Sequence, residues 1–321
     1  MTGTHRTYEG RRLPRPDEEV VDQGLAFDLG TLVSRRHALR ALGLGAAALG
    51  LTACAGGSGS TSDAATSDAS TGTAAGSADA SGLTEIPDET AGPYPGDGSN
   101  GPNVLTEDGV VRSDIRSSFG DLDGTAEGVP MTLELVVRDL ANGGSAFQGA
   151  AVYVWHCDRD GRYSLYSDDV LDQNYLRGVQ VAGGDGTVRF ASVFPACYPG
   201  RWPHIHFEVY PDQASIADDS KVVATSQVAL PQDVCDTVYA TPGYESSVRT
   251  LSEVSLSGDN VFGEDGGASQ LPTVSGDAST GYTVTLVVGV DTTTAPSGGQ
   301  LMGDGPPPGA PGAPGDGPPR N

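Results

Sequence analysis

The 321-residue sequence is short of positive charge: 18 lysine and arginine residues stand against 42 aspartates and glutamates, a formal net charge of −24 at pH 7. Seven of the arginines fall in the first 53 residues, against six acids there, so the remainder is more acidic still. A field of that sign repels nucleic acid and offers no basic patch to anionic lipid. Histidine is scarce, five in all; cysteine is scarcer, four, with no CxxC pair to suggest a thiolate zinc site. The apolar run Ala41 to Leu51 falls well short of the roughly 20 residues a membrane-spanning helix needs. No repeat period runs through the chain, and no long amphipathic helical pattern is present.

That short apolar run does have a context. Ser34-Arg35-Arg36-His37-Ala38-Leu39-Arg40 precedes it and Thr52-Ala53-Cys54 follows it. A twin arginine, a short apolar segment and small residues before a cysteine predict a twin-arginine lipoprotein signal over residues 1–53. On that reading the protein is exported and anchored on the outer face of the cell membrane, touching it only through a lipid on Cys54. Residues 54–83, built of Gly, Ser, Thr, Ala and Asp, read as a flexible tether. Residues 294–321, rich in Pro and Gly, read as a disordered tail. A folded domain is expected over 84–293, long enough for one substantial core. In an exported domain Cys197 and Cys235, both beside loops, are expected to pair as a disulfide, leaving Cys157 inside a strand pattern.

The folded part reads as strands. Met131–Arg138, Ala150–His156, Thr187–Val193, His204–Tyr210, Lys221–Leu230 and Tyr282–Val290 alternate or are β-branched, between clusters of Gly, Pro, Asp and Asn. Six or more such runs predict an all-β domain, a β-sandwich, with function carried by long loops such as Ser164–Gly186.

On that scaffold the stretch CYPGRWPHIHFEVY, Cys197 to Tyr210, stands out. Side chains at i and i+2 share a face of a strand, so His204 and His206 project together and Ile205 points away. The pair is either a hydrogen-bonded structural pair or half of a metal site. Zinc would need a third ligand, for which Asp158 or Glu208 could serve. A cupin would need a Glu four or five residues on and a later histidine; Glu208 is only two residues on and no histidine follows. Tyrosine is what the neighbourhood holds. A phenol ionises near pH 10 and coordinates as phenolate only to a strongly Lewis-acidic ion, of which Fe(III) is one. Two imidazoles and two phenolates would leave a ferric site with one net positive charge, suited to a catecholate.

Trp155-His-Cys-Asp-Arg-Asp-Gly-Arg-Tyr163 and Tyr198-Pro-Gly-Arg-Trp-Pro-His-Ile-His206 together resemble the intradiol ring-cleavage dioxygenases, the non-haem Fe(III) family of the catechol and protocatechuate dioxygenases. The resemblance runs from about Thr90 to Tyr244, with Gly92-Pro93-Tyr94 at its start and Thr225-Ser226-Gln227 after the histidines, and is nearest to the exported single-chain branch. It implies Tyr163, Tyr198, His204 and His206 as the metal ligands and Fe(III) as the cofactor. Tyr166, three residues beyond Tyr163, is the rival for the first tyrosine. The resemblance further implies that Tyr198 leaves the metal and accepts a substrate proton, that Arg201 offsets developing negative charge, and that Gln227 lines the pocket. The implied partners are a small aromatic diol and O2, and the implied reaction opens the ring between the two hydroxylated carbons to a muconate-type diacid. The alternative is a surface-anchored β-sandwich that binds iron or a catechol without turnover.

Overall fold

The structure, a computed structural model, describes residues 82–296 together with a two-residue ladder pairing Thr7–Tyr8 with Arg11–Arg12 in a separate unit. The twin-arginine segment, Cys54, the tether and the chain beyond residue 296 lie outside the described residues.

Strand β1 (Pro130–Asp139) sets the pattern: Met131, Leu133, Leu135 and Val137 are buried, and the residues between them are half-buried. The strands that follow are β2 (Ser145–Ala146), β3 (Ala151–Trp155), β4 (Arg177–Val181), β5 (Thr187–Val193), β6 (His204–Tyr210) and β7 (Ala224–Ala229). Two short helices, α1 (Gln232–Tyr239) and α2 (Glu245–Glu253), lead to β8 (Thr273–Asp277) and β9 (Gly281–Val290). One sheet runs β8-β9-β1, and the far edge of β1 pairs with β5 along Pro130–Val136 and with β2 at Arg138 and Asp139. The last strand lies parallel to the first, Tyr282 opposite Met131 through Val290 opposite Asp139. The second sheet is antiparallel throughout, in the order β4-β3-β6-β7.

The two sheets pack as a sandwich. Leu133, Leu135, Phe190, Val284 and Val288 of the first share one core with Val152, Val154, Ile205, Phe207 and Val228 of the second. Burying each such side chain stabilises the fold by about 1.5–3 kcal/mol, and truncating Phe207 to Ala would cost about 3–5 kcal/mol. The second sheet is also covered on its outer face, where Tyr153, Trp155, Val179 and Tyr210 pack with Val104, Leu105, Val110 and Tyr163. Strand β6 is therefore buried at every position. Its odd-numbered residues fill the sandwich, and His204, His206, Glu208 and Tyr210 face the outer cover.

Several expectations are corrected. The span Ser164–Gly186 is not all loop, since Arg177–Val181 forms β4. A Cβ at Gly178 would stand 2.6 Å from Ile115 Cγ2, so the glycine that weakens the strand signal is what lets the cover close. The strand before Leu230 begins at Ala224, not Lys221, because Asp218 accepts from Ser220 N and winds Asp219–Lys221 into a 3-10 turn. No disulfide joins Cys197 to Cys235; both are free and buried, as is Cys157. Cys197 Sγ points at the Arg201 carbonyl, 3.7 Å away, and α1 carries Cys235 into the core. Burial raises both thiols, Cys197 to about 12, so neither supplies the thiolate that exchange requires. Among the described residues no helix is long and apolar enough to cross a membrane.

Candidate metal centre

The outer face of the second sheet positions the histidines. On β6, His206 stands opposite Trp155 on β3 and Gln227 on β7, three side chains in a row across three strands. The indole of Trp155 stacks on the His206 ring, 4.9 Å between centroids and 6° from parallel. Gly92 presses on the same ring: its φ is +72° and a Cβ there would fall 3.3 Å from His206 Cε1. His204 Nδ1 donates to the Trp202 carbonyl at 2.5 Å, which leaves Nε2 bare and turned inward.

The tyrosines come from loops. Asp158 builds the first: its Oδ1 accepts from Asp160 N and Arg162 N, and its Oδ2 from Arg162 Nε and Tyr175 Oη, around a turn at Gly161 (φ +84°). Ser167 Oγ accepts from Tyr163 N, and the ring of Tyr94 covers that of Tyr163 at 4.9 Å. Arg177, 1% exposed, ties both layers together: it donates to the carbonyls of Tyr94, Pro95 and Ser164, to Ser164 Oγ and to Tyr153 Oη. Tyr198 stands on the loop between β5 and β6, half-buried, with Gly200 (φ +86°) turning the chain back to Arg201.

The four functional atoms converge in a chain of short steps. Tyr163 Oη lies 3.5 Å from Tyr198 Oη, Tyr198 Oη 3.1 Å from His204 Nε2, and His204 Nε2 3.0 Å from His206 Nε2. Burial drives His204 down to about 3 and His206 well below its ordinary value, so both rings are neutral at pH 7. Burial also raises Tyr198 to about 12 and Tyr163 well above its ordinary value. The protein alone does not satisfy this arrangement. His204 Nε2 has one lone pair, yet the Tyr198 hydroxyl and His206 Nε2 both approach it, and His206 Nδ1 has no partner. A cation shared by the four atoms resolves the competition. Two ligands about 2.1 Å from an ion and at right angles lie about 3 Å apart, the spacing found here.

The donor set therefore fits a metal ion, and its chemistry narrows the choice. Among the described residues no group of three or more His, Cys, Asp or Glu side chains could hold one, so a metal here depends on the phenols. Asp158 is committed to its loop, and Glu208 accepts from Tyr210 Oη at 2.9 Å, so neither completes a zinc site. Tyr166 is likewise committed, donating to Asn100 Oδ1 and accepting from Gly96 N. Removing two protons from phenols this weakly acidic needs a hard, strongly polarising cation.

Arg201 and Gln227 lie beside the cluster, joined by a hydrogen bond of 2.7 Å from Arg201 Nη2 to Gln227 Oε1. Gln227 Nε2 in turn donates to the Thr90 carbonyl, two residues before Gly92. Sequence reasoning missed what holds Arg201. Asp259, 6% exposed, accepts from Arg201 Nε at 3.0 Å and from the backbone N–H groups of Trp202, Val261 and Phe262. Although burial alone would raise its carboxyl, Arg201 and these donors hold it below its ordinary value. No local pattern marks Asp259 among the many acids; only the fold brings it to Arg201.

Comparison with known proteins agrees with this architecture. A family model described as dioxygenase matches residues 102–213, the span that holds both tyrosines, both histidines and Arg201. The chain is 42% identical over 62 residues to a chlorocatechol 1,2-dioxygenase of Rhodococcus opacus, covering 19% of this chain and 23% of that protein. It is 33% identical over 110 residues to a hydroxyquinol 1,2-dioxygenase of Nocardioides simplex, covering 29% and 36%. These matches span about a quarter to a third of the curated relatives' length. Among solved structures, an intradiol ring-cleavage dioxygenase from Tetranychus urticae shares the fold, with a TM-score of 0.53 at 23% identity over 67% of this chain and 98% of that one. The domain is a β-sandwich of the dioxygenase type. Its sequence likeness to the curated catechol-type dioxygenases falls within this domain, and its fold is that of an intradiol ring-cleavage dioxygenase.

Proposed function

We propose that this domain is an intradiol dioxygenase that cleaves a catechol-type ring between its two hydroxylated carbons, with a non-haem ferric ion held by Tyr163, Tyr198, His204 and His206. The observation that carries the reading is the convergence of two phenol oxygens and two imidazole nitrogens in steps of 3.0–3.5 Å. When bound, a ferric ion withdraws electron density from a chelated catechol so that O2 attacks the ring, and no external reductant is needed.

The chain's own residues divide the remaining work. Tyr163 is 2% exposed, capped by Tyr94 and fixed through Ser167, so it is the permanent phenol. Tyr198 is half-buried on a loop with a glycine turn, so it is the phenol able to swing away and take a proton from an incoming diol. Trp155 and Gly92 hold His206 in plane, and the Trp202 carbonyl holds the tautomer of His204. Arg201, aimed by Asp259 and Gln227, sits where it offsets negative charge growing on the substrate. The twin-arginine and lipobox pattern supports placing the domain outside the cell, tethered through Cys54.

In the reaction one O2 adds both of its atoms and one ring C–C bond breaks, giving a diacid. Turnover of a catechol under isotopically labelled O2 tests this. The reading expects a muconate-type diacid carrying both labelled atoms. A ring opened to one side of the diol contradicts it, and a catechol that binds and is recovered intact favours the non-turnover binding module.

A further inference from the structure

The two histidines of the cluster are held in different ways. His204 donates from Nδ1 to the Trp202 carbonyl at 2.5 Å, which fixes its tautomer and leaves a lone pair on Nε2. His206 Nδ1 is buried and meets no protein acceptor. Packing fixes that ring instead. Trp155, 0% exposed, covers one face at 4.9 Å between centroids and 6° from parallel, and a Cβ at Gly92 would fall 3.3 Å from the Cε1 edge. Trp155 Nε1 has no protein partner either, so the indole acts through its face and not through its N–H. Tyr153 backs the indole in turn, stacked on it at 4.9 Å, and its hydroxyl donates to the Pro95 carbonyl and accepts from Arg177.

Nε2 of His206 lies 3.0 Å from Nε2 of His204. Two lone pairs at that distance repel, and the His204 proton is already committed to Trp202. In the metal-free protein His206 therefore carries its proton on Nε2 and donates it to His204. An ion shared by the two Nε2 atoms takes both lone pairs, so the His206 proton leaves Nε2 and Nδ1 takes one up, with the ring neutral before and after. Resting on the dioxygenase reading above, we infer that His206 exchanges tautomer when the metal loads, that its new N–H finds no protein acceptor, and that Trp155 is the positioning residue holding the ring through the exchange. A metal-bound histidine is ordinarily oriented, and made more basic, by an acceptor for its outer N–H. His204 has one; His206 has a stacked ring in its place and is the poorer donor. The centre is left more strongly polarising toward a chelated diol than two hydrogen-bonded imidazoles would leave it.

The test is nitrogen NMR of the full-length protein labelled in its histidines, metal-free and loaded with Ga(III), a diamagnetic stand-in for Fe(III). His206→Gln identifies the metal-free signals of His206. His204 is expected as the Nδ1–H tautomer in both states. His206 is expected to change from Nε2–H to Nδ1–H, its new proton upfield of that of His204, which the Trp202 carbonyl draws downfield. Loss of iron to a competing chelator gives a second readout. Trp155→Leu should weaken iron affinity by about 10–100-fold, the usual weight of a group that orients a metal-bound histidine. Trp155→Phe, which keeps an aromatic face, should recover most of that loss. Nδ1–H on His206 before loading, matched N–H shifts in the loaded protein, or a Trp155→Phe variant that gives up iron as readily as Trp155→Leu overturns the inference and spares the dioxygenase reading. The spectra of the unsubstituted protein decide alone should Trp155→Leu not fold. Failure to take up either ion overturns both.

Discussion

The hydroxyl of Tyr198 lies 3.1 Å from Nε2 of His204, a nitrogen whose single lone pair His206 Nε2 also approaches, to 3.0 Å. Such crowding of one acceptor is unfavourable in a metal-free protein and natural around a shared ion. The relationship also says which tyrosine moves. Tyr198 is half-buried on a loop and meets His204 through its hydroxyl and an edge-on ring contact, whereas Tyr163 is buried and packed under Tyr94.

Replacing Tyr198 by Phe keeps the ring and removes the proton acceptor. Cleavage of a catechol is expected to fall by about 10²–10⁴-fold, the usual contribution of a positioned base. Metal should still bind through Tyr163, His204 and His206, more weakly. Steady-state turnover and metal content on the same sample check both halves. Unchanged turnover would remove Tyr198 from the reaction.

Metal loading should release protons from the phenols and not from the histidines. Burial keeps Tyr198 at about 12 and Tyr163 well above its ordinary value, while His204, at about 3, is already neutral. About two protons per ferric ion are therefore expected at neutral pH, read with an indicator dye in weak buffer. Release close to zero would mean that the phenols stay protonated and do not ligate.

Glu208 gives a pH signature that needs no metal. Burial, with the charge of Asp97 nearby, raises it from 4.5 to about 8 against the hydrogen bond from Tyr210, so the folded domain binds its proton more tightly than the unfolded chain. Its contribution to stability is full below about 4.5 and is lost as pH rises through about 8, a loss of a few kcal/mol at about 1.4 kcal/mol per unit. Glu208→Gln should flatten that decline. Urea unfolding of the two metal-free proteins at about pH 5 and 8 measures the difference.

Arg177→Lys should destabilise the domain by about 2–4 kcal/mol, because an ammonium has three donors where the guanidinium makes five hydrogen bonds in a fixed fork. The same change frees the Tyr94 cover from Tyr163. Thermal unfolding and tyrosine reactivity toward nitration would report the two effects separately.

Period-two alternation made His204 and His206 legible as a same-face pair, and the all-β architecture followed from runs such as Met131–Arg138, because both depend on local spacing. Tyr163 and Tyr198 were legible only through the segments around them. Arg177 and Asp259 were not legible: each is one charged residue in a loop-like stretch, and its role arises from contacts far along the chain, such as Arg177 with the Tyr94 carbonyl, 83 positions away. Arg201 and Asp259, for example, meet across a separation of 58 residues. Helices α1 and α2 escaped notice because eight and nine residues, with no side-chain cap, leave little periodic signal. The Cys197–Cys235 expectation failed because neighbouring loops in sequence do not fix where thiols point, and α1 turns Cys235 into the core.

The most direct measurement is the visible absorption spectrum of the iron-loaded domain, recorded under nitrogen before and after a catechol is added, and again once air is admitted. Two phenolates on ferric iron predict a charge-transfer band that shifts when the catechol binds and then returns as the ring is cleaved. A colourless protein that takes up no iron, or a shifted band that persists in air, would contradict the account.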